Sequence, residues 1–251
     1  MAMDLIIDTF TGYTRLTLNR QAARNALNTA LLRQLAGVLT QLATDPTCRA
    51  VVLTGGNGTF AAGADIAEIA TKTSAEGAVD PRKAHWAAIR AFPKPLIAAV
   101  EGFALGGGFE LALMADMIVL GPTAKLGLPE TNLGLIPGAG GGQRLLALAG
   151  RARATRMILT GEVIDAETAL SWGIAAYASD TPLVEAEALA SRLAQRAPLA
   201  LMAAKQALIA SEASLALQAE RAGFEALLDS QDKTEGIRAF QEKRKPEFTG
   251  K

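Results

Sequence analysis

The chain is built around the segment Glu101-Gly102-Phe103-Ala104-Leu105-Gly106-Gly107-Gly108-Phe109-Glu110. An apolar run with the character of a β-strand precedes it at residues 95–100, and a helical pattern follows at residues 109–115. The glycines therefore lie at the N-terminus of a predicted helix, where free N–H groups and the helix dipole favour negative charge. Since glycine has no Cβ, a ligand can come within hydrogen-bonding distance of this backbone.

Two glutamates accompany the glycine cluster. Glu110 lies in an otherwise apolar stretch, so we expect its carboxylate to enter the core or a pocket, where burial raises a carboxyl pKa. Glu130 follows Pro129 in a loop between apolar segments. Two such carboxylates can act as the acid and the base of a proton transfer, and the spacing alone leaves open whether they meet.

Strand and helix patterns predict an α/β fold on the N-terminal side of this segment. Strands are predicted at residues 5–9, 14–18 and 50–54, and an amphipathic helix at residues 29–44. Asp65 and Glu68 resemble a capping box, so a helix is expected to begin at Ile66, which places Ala64 outside the helix with its N–H toward a ligand. The small and polar residues 71–80 predict a mobile surface loop.

The second half of the chain changes character. A strand is predicted at residues 117–120, a shorter one at 124–127, and a glycine-rich loop at 133–142 with a helix from Gln143. Beyond Ala152 only residues 175–178 read as a strand, and the remainder reads as helices, which are predicted at residues 157–160, 166–172, 182–196, 199–211, 215–228 and 233–240. An α/β core followed by an all-helical C-terminal part is the expected arrangement.

Length and composition predict one large domain, or one domain with a smaller appendage, for 251 residues of which 50% are hydrophobic. The formal net charge is zero at pH 7, which argues against a nucleic-acid partner held by bulk electrostatics. Cys48 is the only cysteine, and neither a secretory signal nor a membrane span is recognisable, so we expect a cytoplasmic protein without a membrane partner.

Other motif-based functions lack their residues. The third glycine of a dinucleotide fingerprint falls at Leu111 in one glycine cluster and at Gln143 in the other, and neither cluster ends as a P-loop does. His85 is the only histidine, and it is expected to be a structural residue at the surface or half-buried, so no metal site is predicted. A single glycine cluster is also explained by close helix–strand packing.

The motifs together resemble the crotonase superfamily, the enoyl-CoA hydratase/isomerase group. The similar segments are Phe60-Ala-Ala-Gly-Ala-Asp-Ile66, the run from Pro95 to Leu111, Gly127-Leu-Pro-Glu130 and Gly134-Leu-Ile-Pro-Gly-Ala-Gly-Gly141, with further matches near both termini. The resemblance implies a spiral of repeated ββα units over residues 1–195 and a helical oligomerisation segment over residues 196–251. It further implies a homohexamer, arranged as a dimer of trimers.

The resemblance also implies a site. The N–H groups of Ala64 and Gly107 match an oxyanion hole for a thioester carbonyl, and Glu110 and Glu130 match the two glutamates of hydratases. The remaining implied site residues, for the nucleophilic water or for coenzyme A, are Gly138, Ala62, Asp65, Ile66, Arg24, Phe240 and Lys243. The implied reaction adds water across the 2,3 double bond of an enoyl-CoA, with no metal and no cofactor other than the coenzyme A of the substrate.

Alternatives within and outside this family remain. An enoyl-CoA isomerase would rely on Glu130 alone, so the presence of Glu110 favours hydration. A non-catalytic CoA- or RNA-binding relative is a further alternative, although no lysine-rich helix is present for RNA. Residues 22–32, 126–130 and 198–208 are similar to the subgroup of 2,3-dehydroadipyl-CoA hydratases of phenylacetate breakdown. Ala67 stands where a lysine is common, and Gly142 where a threonine is usual.

Overall fold

The computed structural model describes residues 3–209 and 214–247. Two β-sheets form the centre of this part of the chain. The strands are β1 (Leu5–Phe10), β2 (Tyr13–Leu18), β3 (Ala50–Gly55), β4 (Leu96–Val100), β5 (Phe103–Leu105), β6 (Met117–Leu120), β7 (Lys125–Gly127), β8 (Val163–Asp165) and β9 (Tyr177–Ala178). The main sheet has the order β1-β2-β3-β4-β6-β9, with β1 antiparallel to β2 and every later pair parallel. The second sheet has the order β5-β7-β8.

Helices surround both sheets. They are α1 (Thr29–Thr44), α2 (Ile66–Ala70), α3 (Ser74–Ala78), α4 (Arg82–Arg90), α5 (Gly107–Ala112), α6 (Gly141–Ala149), α7 (Arg151–Thr160), α8 (Ala166–Ser171), α9 (Pro182–Ala194), α10 (Pro198–Ile209), α11 (Ser214–Leu227) and α12 (Gln231–Gln241). Short 3-10 helices occupy Gln21–Ala23 and Glu130–Leu133.

The chain repeats one path through these layers. It runs along a strand of the main sheet, continues into the second layer and then enters a helix, as in β4, β5 and α5. The preceding turn follows the same path, because Ala61 forms a parallel bridge with Ala104 of β5 before the chain enters α2. The following turn passes from β6 through β7 to the second 3-10 helix. The predicted α/β class of repeated units is confirmed.

The core lies on both faces of the main sheet. β3 and β4 are almost wholly buried, which explains why both read as continuous apolar runs rather than as alternating ones. On one face they pack with the buried leucines of α1, and on the other with Ala186, Leu189 and Ala190 of α9. Burial on both faces fixes the strand ends from which the site loops emerge.

The C-terminal helices pack against the core of the same chain. Lys205 of α10 donates hydrogen bonds to Asp116 (2.8 Å) and to the carbonyl of Lys94 (2.9 Å). Phe224 of α11 and Ile237 of α12 join a small cluster with Leu135. The oligomerisation role of residues 196–251 stays a prediction, and the predicted helix end at residue 211 lies outside the described residues.

Three predictions of local structure were wrong. Residues 71–80 contain α3, because Thr73 and Glu76 form a reciprocal capping box that starts a helix there. β5 and β8 were not predicted as strands, and each has only three residues whose pairing partners are distant in sequence. Glu68 does not complete a capping box with Asp65, because its carboxylate accepts hydrogen bonds from Thr29 of α1 instead.

Within the described part of the chain, no helix is both long enough and apolar enough to cross a membrane.

Candidate active site

A cavity of about 360 Å³ lies between the repeated units and the C-terminal helices. Its wall is mainly apolar and includes side chains from α2, α4 and α11. Nine residues predicted as site residues line it: Arg24, Ala62, Ala64, Ile66, Gly107, Glu110, Glu130, Gly138 and Phe240. A concave apolar pocket with a few convergent polar groups is the usual form of a small-molecule site.

Two backbone N–H groups are available in this cavity, those of Ala64 and Gly107. Neither donates a hydrogen bond in residues 3–209 and 214–247, although both line the cavity wall. The two groups are close together, since a Cβ built on Gly107 would lie 3.4 Å from the nitrogen of Ala64. Ala64 stands two residues before α2, so the predicted helix start at Ile66 is confirmed, and Gly107 opens α5, two residues earlier than the pattern predicted.

The glycines bring these two N–H groups together. Gly106 has φ 49° and ψ −127°, a conformation that residues with a Cβ rarely adopt, and it turns the chain from β5 into α5. A Cβ on Gly108 would overlap the carbonyl oxygen of Ala61, so α5 approaches the neighbouring turn as closely as glycine permits. The glycine cluster thus serves close packing and an exposed backbone donor at once.

Glu110 is buried, with 4% of its surface exposed, as its apolar neighbours predict. One carboxylate oxygen accepts hydrogen bonds from the backbone N–H groups of Ala139 (2.8 Å) and Gly141 (2.9 Å). Burial raises the pKa of the Glu110 carboxyl, and these N–H groups and the charge of Arg144 partly offset that rise. A carboxyl with a raised pKa can carry a proton closer to neutral pH than an ordinary glutamate can.

Glu130 also lines the cavity, next to the glycine turn. It is half-buried and begins the second 3-10 helix. A Cβ on Gly106 would lie 3.2 Å from its Oε1 atom, which shows that the Glu130 carboxylate is packed against the chain reversal before α5. Glu110 and Glu130 therefore both line the cavity next to the pair of N–H groups, which the sequence spacing had left open.

The loop before α6 holds Glu110 in place, and the sequence predicted only part of this role. Gly138 was predicted as a site residue, but Ala139 and Gly141, whose N–H groups donate to the Glu110 carboxylate, were not. Arg144 fixes the loop by donating to the carbonyls of Ala139 and Gly140, both at 3.1 Å. The signal was the glycine run at residues 138–142, which the sequence shows without indicating what it binds.

Two predicted site residues do not line the cavity. Asp65 accepts a hydrogen bond from the N–H of Ala67 (3.2 Å) at the start of α2 and pairs with Arg20 at 3.1 Å. It therefore stabilises the loop that carries Ala64. Lys243 is exposed just beyond α12. Arg24 and Phe240 are also exposed, but both border the cavity, and they mark its open side.

Two arginines of the cavity wall were not predicted. Arg82 is buried at the start of α4, and Arg221 extends from α11. Neither stands in a glycine-rich or otherwise distinctive motif, so no signal in one sequence would have found them. Residues 3–209 and 214–247 contain no group of three histidine, cysteine, aspartate or glutamate side chains placed to hold a metal ion.

Known proteins are similar to this chain over nearly its whole length. The profile of the enoyl-CoA hydratase/isomerase family matches residues 10–251. The 2,3-dehydroadipyl-CoA hydratase of Escherichia coli is 49% identical over an alignment of 254 positions that covers 99% of this chain and 99% of that protein. A probable enoyl-CoA hydratase of Bacillus subtilis is 39% identical over an alignment of 263 positions that covers 99% of both chains. The crystal structure of a carnitinyl-CoA hydratase from Mycobacterium avium has a TM-score of 0.89 and 34% identity, with 100% of both chains covered.

Proposed function

Because this chain belongs to the enoyl-CoA hydratase/isomerase family, we propose that its cavity adds water across the 2,3 double bond of a trans-2-enoyl-CoA thioester. The chain is an enoyl-CoA hydratase, a hydro-lyase, and its product is a 3-hydroxyacyl-CoA. One observation carries the assignment of residues: Glu110 and Glu130 line the same cavity as two N–H groups that make no hydrogen bond within the described residues.

The N–H groups of Ala64 and Gly107 form the oxyanion hole. They donate to the thioester oxygen, which becomes negatively charged when water attacks the conjugated double bond and an enolate forms. Their closeness supports this role, as does the fact that neither donates to an acceptor in the part of the chain that the structure describes. Donors fixed in advance toward a developing charge stabilise the transition state without reorganisation, and each is worth roughly 2.7–4 kcal/mol.

Glu110 and Glu130 hold the attacking water between them. One carboxylate takes a proton from the water as its oxygen bonds to C3, and the other supplies the proton that bonds to C2. The burial that raises the pKa of Glu110 supports a role in proton transfer. The two carboxyls share a cavity, so the acid and base roles are assigned to the pair.

The open side of the cavity receives coenzyme A, which enters as part of the substrate. Arg24 supplies positive charge for phosphate groups at this side, and Ala62, Ile66 and Phe240 supply apolar surface. Asp65 contributes indirectly by fixing the loop around Ala64. Lys243 contributes to phosphate binding from the exposed end of α12. No metal ion or separate cofactor is needed for hydration by two carboxylates.

The finer assignment is a 2,3-dehydroadipyl-CoA hydratase that acts in phenylacetate catabolism. The 49% identity to the Escherichia coli enzyme of that name, over 99% of both chains, supports it. We propose further that the protein is a cytoplasmic homohexamer, a dimer of trimers, without nucleic-acid or membrane partners. Its balanced charge and single cysteine are consistent with this setting.

The test follows the absorbance of the conjugated enoyl-thioester, which is lost on hydration. Crotonyl-CoA and 2,3-dehydroadipyl-CoA are compared, with Glu110→Gln and Glu130→Gln beside the wild type. We expect each variant to lose about 10²–10⁴-fold in kcat, the range for removal of a general acid or base. Glu167→Gln, a surface substitution on α8, is the matched control. Full hydration without Glu110 would contradict the two-glutamate mechanism, and hydration of neither thioester by the wild type would favour an isomerase.

A further inference from the structure

Arg82 is a buried cation in the wall of the active-site cavity that hydration does not use. Only 5% of the surface of Arg82 is exposed, and the residue borders the cavity from the first turn of α4. Trp86 lies one helical turn further on the same face and also borders the cavity. A guanidinium remains charged in proteins and is costly to bury unless it is paired, so its position requires a reason.

Asp80 holds this guanidinium in one orientation. The Asp80 carboxylate accepts hydrogen bonds from Nε (2.9 Å) and Nη2 (2.7 Å) of Arg82, and also from its backbone N–H (2.9 Å). Burial alone would raise the pKa of Asp80, but the hydrogen bonds from Arg82 and Lys72 lower it to about 2. Asp80 is therefore ionised at neutral pH, and the guanidinium plane is fixed.

One edge of the guanidinium remains without a hydrogen bond. Nη1 of Arg82 donates none within the described residues, and it forms only a long ion pair with a carboxylate oxygen of Glu68, at 4.0 Å. That same oxygen already accepts hydrogen bonds from the N–H (2.9 Å) and hydroxyl (2.7 Å) of Thr29. Arg82 thus presents a fixed, charged donor to a cavity that is otherwise lined mainly by apolar groups.

Arg82 lies on the enclosed side of the cavity. Coenzyme A is far larger than a cavity of about 360 Å³, so it must remain at the open side, beside the exposed Arg24 and Phe240. An acyl chain that enters from the open side then meets the buried part of the wall, which includes Ile69, Arg82 and Phe224. The far end of a short acyl chain is the part of the substrate that reaches this guanidinium.

The second arginine of the cavity wall, Arg221, differs from Arg82 in how many of its guanidinium nitrogens have acceptors within the protein. Nε of Arg221 binds Glu225 at 2.7 Å, while Nη1 and Nη2 lie 3.5 and 3.3 Å from the carbonyl oxygens of Gly138 and Gly77. All three nitrogens therefore have acceptors within the protein. Arg221 is suited to bracing the cavity wall, and it provides a matched control of the same residue type.

We propose that Arg82, oriented by Asp80, binds a carboxylate at the far end of the acyl chain and so makes this site selective for dicarboxylic enoyl-CoA thioesters. The inference rests on the proposed hydratase function and adds the residue that selects the substrate. A carboxylate matches the geometry and the charge of a guanidinium edge. A methyl-terminated chain would instead leave the buried Nη1 donors without an acceptor, and a site built to hydrogen-bond a group rejects analogues that lack it.

The test compares two substrates with six-carbon acyl chains. The chain of 2,3-dehydroadipyl-CoA ends in a carboxylate, and that of trans-2-hexenoyl-CoA ends in a methyl group. The measured quantity is the ratio of their kcat/KM values in the full-length protein. We expect the wild type to favour the dicarboxylic substrate and Arg82→Gln to lower the ratio about tenfold or more, chiefly through the KM of the acidic substrate. Arg82→Lys should lower the ratio less, because lysine keeps the positive charge but lacks the paired N–H donors of a guanidinium.

Controls separate recognition from structure. Arg221→Gln should change both kcat/KM values in parallel and leave their ratio within about threefold of the wild type. If Arg82→Gln does not fold, the methyl ester of 2,3-dehydroadipyl-CoA tests the same point on the wild type and should be hydrated at the rate of the hexenoyl substrate. An unchanged ratio in Arg82→Gln, or equal use of acid and ester, would overturn the proposal while leaving hydration intact. Hydration of neither substrate would overturn the proposed function itself.

Discussion

The burial of Glu110 affects stability as well as catalysis. Burial raises the pKa of its carboxyl above the ordinary 4.5, so the folded protein holds this proton more tightly than the unfolded chain does. The folded state is then stabilised below the unfolded pKa, and that stabilisation is lost as the pH rises through the folded pKa. Above the folded pKa, where the carboxyl is ionised, Glu110 therefore favours folding less than it does in its protonated form.

We expect Glu110→Gln to be more stable than the wild type at about pH 8 and to lose this advantage toward about pH 4. The glutamine side chain of that variant is neutral, and its amide oxygen can still accept from the N–H groups of Ala139 and Gly141. Each unit by which the pKa is raised corresponds to about 1.4 kcal/mol. Urea unfolding at several pH values measures the difference, and an equal stability at all of them would contradict the raised pKa.

The oxyanion hole can be tested at Ala64, whose N–H makes no hydrogen bond within the described residues. Ala64→Pro deletes this N–H without removing a hydrogen bond that supports the fold. We expect kcat to fall about 10²–10³-fold, the typical loss for one oxyanion donor. Ala64→Gly keeps the N–H and serves as the control. Similar kcat values in the proline and glycine variants would assign the donor role elsewhere.

At the scale of single residues, sequence reasoning found what local context dictates. The apolar neighbours of Glu110 predicted its burial, and the helix starts predicted the positions of the Ala64 and Gly107 N–H groups. Asp65 and Arg82 could not be placed in the same way. Their partners, Arg20 and Asp80, are chosen by how the loops fold around the cavity, and a charged residue in a single sequence does not show which side it faces.

At the scale of elements, close approach of α5 to the preceding turn positions the N–H of Gly107, the proposed oxyanion donor. Gly108→Ala would place a methyl group against the carbonyl of Ala61, and we expect it to destabilise the protein by about 1–3 kcal/mol. Because α5 must shift, kcat should also fall. Gly37→Ala in α1 is the control, since a Cβ there meets nothing within 4 Å and should stabilise by about 0.5–1 kcal/mol.

Thermal unfolding and hydration kinetics of the two alanine variants show whether the position of α5 depends on Gly108. Opposite shifts in stability, with kcat lowered only by Gly108→Ala, are the expected pattern. If Gly108→Ala is as stable and active as the wild type, α5 does not depend on this contact and the glycine cluster has another purpose.

Elements with strong local signals were predicted, and those that depend on distant partners were not. The periodicity of α1 and the continuous apolar runs of β3 and β4 marked them clearly. β5 and β8 have three residues each and exist as strands only because β7 lies between them. A segment that short has no periodicity of its own, so its state is decided by tertiary pairing.

At the scale of the whole molecule, the active site joins parts of the chain that are far apart in sequence. The first repeated unit supplies Ala64, the middle units supply the glutamates, and α11 and α12 supply Phe224 and Phe240. Part of the cavity wall is therefore supplied by the C-terminal helices. If the cavity is the active site, as proposed, whatever stabilises those helices also shapes it.

The proposed assembly can be tested at the exposed leucines of α6 and α7. These are Leu146, Leu148 and Leu159, the last with 70% of its surface exposed, and exposed leucines on neighbouring helices are typical of subunit interfaces. We expect light scattering to give the mass of a hexamer for the wild type and a smaller mass for the double variant Leu146→Lys, Leu159→Lys, because charge would be buried without a partner. Val79→Lys, at an 81% exposed apolar position beside α3, should keep the hexamer mass. A double variant of unchanged mass would show that these leucines face solvent, whereas a single-chain mass for the wild type would contradict the hexamer itself.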